Sequence, residues 1–494
     1  MVKRMKMKKY IQSMMAFAAI VSFASCSSED NNTTIENESA TKVMTFTATQ
    51  EGDEQSTRAA ISTSDSKVIN WQEGDQISIF DGTTNNQFTL KNGAGTKSAT
   101  FQGNAATAAK YTAVYPYQSG AGYDTSNGNV TGITLKPTQT ATANSFDKEA
   151  ALMIAEGTNT TLEFKNAVGY VKVKPKFACS KIVLQAAGAS EYLAGMCTLS
   201  YGDGKPSIAF TSEQSTSITL LGNITANTVY YIAVPAVTLT AGWSISFTDN
   251  TGNVYTRTGS KEIEFKRNTI INLGEFSRTD NNLKLTLTQN GKVPADKQVD
   301  MGVFNIGGTK YRLIFAKSNL TTTGLAASES DYGDYFAWGA TETWYLSISG
   351  STISWKPDHS SGYVSGTAPA FNGKYDGVKD FEMSDDPARK ILGGDWQIPT
   401  KAIWDALVGI TTKGWDSGYK FTNNGQTLFL PAAGYVLRKN FSERGSGARY
   451  WSGTAYSSSN AYRLSFSERK LNVKHDLARQ YGCSVRPVRL VAGD

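Results

Sequence analysis

Gln76-Ile77-Ser78-Ile79-Phe80 places an apolar side chain on every second residue up to its end. That period turns one face of an extended chain toward a core and the other toward water. Val43-Met44-Thr45-Phe46-Thr47-Ala48 and Ser217-Ile218-Thr219-Leu220 read the same way. Between such runs stand Asp81-Gly82, Asn92-Gly93, Asn127-Gly128 and Gly252-Asn253, pairs that favour tight reversals. Helical periodicity is weak from residue 43 to about residue 276, so this span predicts antiparallel β-sandwiches. It is long for one sandwich, and a break near Asn144 to Glu149 divides it into two, 43–148 and 149–276.

Toward the C-terminus, residues 277–298 are polar and carry Leu283-Lys284-Leu285-Thr286-Leu287, which reads as a linker or a lone edge strand. From residue 299 the composition changes. Seven of the nine tryptophans lie there (Trp338, Trp344, Trp355, Trp396, Trp404, Trp415, Trp451). A helix is predicted after Pro399-Thr400, with Thr400 as N-cap and Ile403, Trp404 and Leu407 on one side. Residues 299–494 therefore read as a separate α+β domain, and no solenoid-type repeat is visible.

Toward the N-terminus, Lys3, Arg4, Lys6, Lys8 and Lys9 precede an apolar run from Ile11 to Phe23, then Ala24-Ser25-Cys26. A basic segment, a short apolar segment and small residues before a cysteine are the layout of a lipoprotein signal peptide, residues 1–25. Cys26 is the predicted lipidation site, and buried acyl methylenes at about 0.8 kcal/mol each hold such a chain on a membrane. Residues 26–42, opening on Ser27-Ser28-Glu29-Asp30, read as a flexible tether.

The 494 residues suggest two to four domains. Loss of the signal takes the formal charge of +6 to about +1, which leaves no basic field for nucleic acid. Only His359 and His475 are present, too few for histidine-based zinc sites or a serine-histidine triad. Cys179 and Cys197 read equally as a disulfide or as two buried thiols.

Several stretches in the first half resemble the fimbrillin family, subunits of type V pili and their relatives among Gram-negative surface lipoproteins. They are Trp71-Gln72-Glu73-Gly74-Asp75 continuing to Phe80, Tyr111-Thr112-Ala113-Val114-Tyr115-Pro116-Tyr117, Leu162 to Val173, Tyr230-Tyr231-Ile232-Ala233-Val234-Pro235, and Arg267 to Phe276. The resemblance implies two tandem transthyretin-like β-sandwiches. It also implies a precursor cut after an arginine in the loop following the first strand, where Thr57-Arg58-Ala59-Ala60 stands here. Arg58 and Ala59 are the candidate maturation site. Loss of the first strand would open an apolar groove for a strand of another subunit. Arg58 as an uncut surface residue of an anchored protein is the other reading.

The second half resembles a domain of bacterial surface lipoproteins with the C-type-lectin-like fold, shared with formylglycine-generating enzymes. The resemblance rests on Tyr332 to Gly339, Gly393-Gly394-Asp395-Trp396-Gln397-Ile398-Pro399-Thr400, Leu428 to Tyr435, Tyr450-Trp451-Ser452-Gly453 and Gly482-Cys483-Ser484-Val485-Arg486-Pro487-Val488. The enzymes need a cysteine pair for copper, and only Cys483 is available. Gln397-Ile398-Pro399-Thr400 lacks the carboxylates and amides of the calcium-lectin signature.

The fold class expected is thus mainly β, two transthyretin-like sandwiches followed by an α+β C-type-lectin-like domain. Trp338, Trp396, Trp404 and Trp451 are expected in the core. Trp344, Trp355 and Trp415, with Tyr345, Tyr363 and Tyr375, lie in Ser-, Gly- and Thr-rich surroundings and are the candidate ligand-binding rings. Glu382, Asp385 and Asp386 read as solvated loop acids ahead of a glycosidase pair. Glu329, Asp331 and Asp334 read as turn formers ahead of a cation site. No catalytic, cofactor-binding or metal-binding residue is assigned. The combined reading is a surface-exposed outer-membrane lipoprotein of fimbrillin type. It would serve in the fimbrium as a tip, accessory or anchor component, with other pilus subunits as strand-exchange partners, or as a stand-alone adhesin for a glycan or cell-surface ligand. The alternative is a glycan-binding surface lipoprotein unconnected with pili.

Overall fold

The computed structural model describes residues 41–51, 70–364, 384–410 and 412–493, so Cys26, Arg58, Ala59, Tyr375 and Glu382 lie outside the described residues. The chain is mainly β. Its first assembly is a closed barrel in the order Lys42–Gln50, Thr161–Asn166, Met153–Gly157, Tyr111–Tyr115, Gln76–Phe80, Asn85–Asn92 and Ser98–Ala105. Trp71 is fully buried inside it and meets Phe101, Tyr115 and Phe164 edge-on, with ring centres 5.0, 5.3 and 5.5 Å away. Its indole N–H donates to the Ala48 carbonyl at 3.2 Å, so the largest apolar side chain of this core is also satisfied.

A second assembly holds a six-stranded sheet ordered Lys284–Thr286, Val254–Thr258, Ser244–Asp249, Cys179–Gln185, Ser217–Ile224 and Thr138–Thr140. A four-stranded sheet runs Lys205–Ser215, Ala194–Gly202, Asn129–Leu135, Gly122–Asp124. The strand sets interleave across 148/149. Three strands before that point pair in these later sheets, and Met153–Gly157 and Thr161–Asn166 pair in the barrel. Of the two readings for residues 277–298, the edge strand is present: Lys284–Thr286 pairs with Val254–Thr258.

A three-stranded sheet, Tyr230–Pro235, Val168–Pro175 and Ile270–Phe276, stands between the two cores. Val168, Tyr170, Tyr231 and Ala233 pack into the barrel core. Val171, Val173, Tyr230, Ile232 and Val234 pack into the other. Because alternate side chains enter different cores, Tyr230–Pro235 is buried at every residue. Gln139, fully buried, clamps this wall: its amide donates to the Ala233 carbonyl at 2.8 Å and accepts from the Ala233 N–H at 2.9 Å.

In the C-terminal part, Gln298–Ile306, Thr309–Ala316 and Val488–Ala492 form one sheet, which ties its beginning to its end. Gly447–Ala455, Asn460–Ser467 and Lys470–Ala478 form another. The predicted helix is Lys401–Val408, with the Thr400 hydroxyl accepting from the Ile403 N–H at 3.4 Å and Ile403, Trp404 and Leu407 buried. Trp338, Trp396, Trp404 and Trp451 are all buried to within 1%. A second helix, Pro387–Leu392, has no counterpart in the sequence reading. Arg312 crosses from this part to residues 278–283. It pairs with Asp300 at 2.7 Å and donates to the carbonyls of Arg278, Asp280 and Leu283.

Candidate functional site

Lys42–Gln50 lies between two strands that do not pair with each other. It runs antiparallel to Ser98–Ala105 over eight residue pairs, Lys42↔Ala105 to Thr49↔Ser98, and parallel to Thr161–Asn166 from Thr47↔Thr161 to Gln50↔Phe164. Its alternation sends Phe46 and Ala48 into the barrel, where both are fully buried. Phe46 meets Phe88 and Tyr111 edge-on at 5.2 and 4.9 Å. Without this strand the sheet would keep two unpaired edges around an apolar slot.

The strand's end is fastened to a distant loop. Glu51 forms a two-pronged ion pair with Arg267, at 2.9 Å to Nη1 and 2.5 Å to Nη2. The same carboxylate accepts from the Asn166 N–H at 3.1 Å, and Arg267 Nη1 donates to the Asn166 carbonyl at 3.1 Å. The Glu51 N–H donates to the Phe164 carbonyl at 2.8 Å. The loop comes this close because residue 169 is glycine: a Cβ there would lie 2.2 Å from the Lys266 carbonyl oxygen. Asn268 takes the left-handed φ of 54° that asparagine tolerates. Nothing in the residues beside Glu51 points to this role. Its partner is 216 residues away, a distance over which local pattern carries no signal.

The candidate ligand-binding rings divide. Trp344, Tyr345 and Tyr363 are 5%, 4% and 0% exposed, and this corrects their reading as loop residues open to a ligand. The hairpin Tyr345–Ser349/Thr352–Trp355 pairs Tyr345 with Trp355 and folds the rings onto one another. Trp344 stacks on His359 at 4.4 Å and on Tyr363 at 4.8 Å. The Tyr345 hydroxyl donates to Asp334 at 2.9 Å and accepts from the Tyr335 N–H at 2.9 Å. Burial pushes the Tyr345 and Tyr363 phenols above the ordinary range. Together they form a small satellite core. Trp355 meets Tyr363 edge-on at 5.5 Å, and Trp415 packs on Phe466 and Tyr419; both indoles are half-buried.

The acids have backbone duties. Asp386 caps Pro387–Leu392, Asp331 accepts from the Ser328 N–H at 2.8 Å, and Asp334 accepts from the Thr322 N–H at 2.8 Å. Cys179, Cys197 and Cys483 are free and buried, and burial pushes each thiol up to about 12, far from a reactive thiolate. Among the described residues no group of three or more His, Cys, Asp or Glu side chains is placed to hold a metal ion. Among them, too, no helix is long and apolar enough to cross a membrane.

No family model and no curated protein matches this chain. Among solved structures, a putative cell adhesion protein from Bacteroides uniformis ATCC 8492 matches at 17% identity over 44% of this chain and 91% of its own, with a TM-score of 0.30. A fimbrial protein from Bacteroides ovatus ATCC 8483 matches at 10% identity over 90% and 98%, with a TM-score of 0.22. The tip fimbrial protein Mfa3 from Porphyromonas gingivalis, with C-terminal truncation, matches at 10% over 50% and 98%, with a TM-score of 0.22.

Proposed function

We propose that this chain is a surface lipoprotein of fimbrillin type, lipidated at Cys26, that works in a pilus as a tip, accessory or anchor component or as a stand-alone adhesin. In this reading the barrel and the second assembly are transthyretin-like units, and residues 299–494 are a C-type-lectin-like domain that meets the ligand. The observation that carries it is the Lys42–Gln50 strand, which closes the barrel by filling a slot between two otherwise unpaired edges. The chain then runs into the segment that holds Arg58. Cleavage after Arg58 would cut the strand's covalent link to the barrel. A second subunit could then supply a strand with a large and a small apolar residue at the places of Phe46 and Ala48.

Digestion of the full precursor with an arginine-specific protease tests this. Mass spectrometry should find Ala59 at the new N-terminus, and size-exclusion chromatography should show loss of residues 26–58 with growth of oligomers. A chain that stays uncut, or that is cut and remains a strand-retaining monomer, rules out the polymerising role.

A further inference from the structure

We propose that Tyr456, Tyr462 and His475 form a binding platform for pyranose saccharides. Their use in adhesion rests on the proposed outward presentation of the C-terminal part, but the binding does not. Tyr456 follows the strand Gly447–Ala455, Tyr462 lies in Asn460–Ser467, and His475 lies in Lys470–Ala478. Three consecutive strands thus bring three rings together. Tyr456 and His475 stack with ring centres 3.9 Å apart and planes 22° off parallel, and Tyr462 meets them edge-on at 5.6 and 5.7 Å.

The backbone is adjusted at this spot. Arg463 pairs with Lys474 and Ala461 with Leu477, so His475 and Asp476 stand opposite Tyr462 alone. Two residues against one is a β-bulge, a device that re-aims side chains and interrupts regular edge pairing. The bulge lies in the outer strand of its sheet, where it disfavours addition of a partner strand. The rings face solvent to different degrees: Tyr456 is 50% exposed and His475 is exposed, while Tyr462 is half-buried. A lone exposed ring needs no explanation, but three in mutual contact form an apolar surface kept in water.

The surroundings select the ligand. A pyranose offers a face of C–H groups to an aromatic ring and a rim of hydroxyls to polar neighbours. Here the rim is Ser457 and Ser459 on the turn and the Lys401–Asp405 pair on the adjoining helix, with Lys401 Nζ 5.5 Å from the Tyr462 ring centre. Among the described residues neither the Tyr456 nor the Tyr462 hydroxyl is engaged in a hydrogen bond. Lys401 pairs with Asp405 and Arg463 with Asp476, while Lys474 beside His475 and Arg479, whose guanidinium donates to the Ser458 carbonyl at 2.9 Å, add positive charge around the rings.

The test is an oligosaccharide array of neutral and sialylated pyranosides, probed with the uncut full-length chain, followed by titration of the best ligand. Wild type should bind pyranosides of this array. Tyr456→Ala and His475→Ala should each weaken binding about tenfold, Tyr456→Trp should retain it, and Leu346→Ala, at an exposed apolar residue elsewhere in this part, should leave it unchanged. Near-UV circular dichroism of each variant separates lost binding from lost folding. Absence of pyranoside binding by wild type, or equal binding by Tyr456→Ala and His475→Ala, overturns the platform. Strand release and polymerisation play no part in this assay, so its failure leaves the pilus reading untouched, and the reverse holds as well.

Discussion

Asp386 is buried at the start of Pro387–Leu392. It accepts hydrogen bonds from the backbone N–H groups of Ala388, Arg389 and Ile398 at 2.8, 3.3 and 2.9 Å. Burial outweighs these donors and the Arg389 charge, and lifts its carboxyl from an ordinary 3.8 to about 6. The folded chain therefore holds the proton more tightly than the unfolded chain. The stability this gives is fully present below the unfolded pKa and is lost as pH rises through the folded one. Asp386→Asn keeps a capping oxygen but does not titrate. The wild-type thermal midpoint should therefore decline relative to Asp386→Asn between about pH 4 and about pH 6.5. Parallel pH profiles for the two proteins would remove Asp386 as the cause. Asp386-Pro387 has the residue types of a helix start, but a six-residue helix is too short to show the periodicity that would have confirmed it. The burial of Trp344 was hidden for a related reason: the stretch around it is polar, and the rings that bury it include Tyr363, further along the chain.

Lys42–Gln50 was legible as a strand because Phe46 and Ala48 fall on one face, and that much is local. Its partners were not, since a parallel match to Thr161–Asn166 and a carboxylate clasped by Arg267 are long-range choices. The same limit explains the interleaving around 148/149. Period-two alternation says which face of a strand is buried and is silent on which strand lies beside it. The clasp leads to a prediction for the strand as a unit. Hydrogen bonds between charged groups that are mostly buried contribute about 1.5–3 kcal/mol, and Glu51 and Arg267 keep only 13% and 22% of their side-chain surface exposed. Arg267→Ala and Glu51→Gln should each speed amide hydrogen exchange across residues 42–50 about tenfold or more, and the double variant should add little. Unchanged exchange in the uncut chain would mean that the strand is held by its ladders and by Phe46 alone.

At the scale of the molecule, the wall of Tyr230–Pro235, Val168–Pro175 and Ile270–Phe276 determines how the first two assemblies respond to damage. Tyr230-Tyr231-Ile232-Ala233-Val234-Pro235 is a continuous apolar run, the pattern of a strand covered on both faces. The structure supplies the reason: each face of the wall belongs to a different core. A cavity on one side loosens backbone that the other side also needs, and Gln139 adds a buried amide clamp to the Ala233 peptide group. Ile232→Ala empties a site in the second core at a cost of about 2–5 kcal/mol. Tyr231→Ala does the same on the barrel side. If the wall is shared, Ile232→Ala should raise hydrogen exchange in the barrel strand Gln76–Phe80, although Ile232 packs into the opposite core. Tyr231→Ala should correspondingly raise it in Cys179–Gln185. Calorimetry of the wild type should then show the barrel and the second assembly melting in one transition, lowered by either substitution. Two separate transitions, with each variant moving only the one on its own side, would show that the cores are stable independently and that the wall joins them without coupling them. That outcome matters for the strand exchange proposed above. An independently stable second assembly would survive an opened barrel, whereas a coupled one would be weakened until the vacated slot was filled.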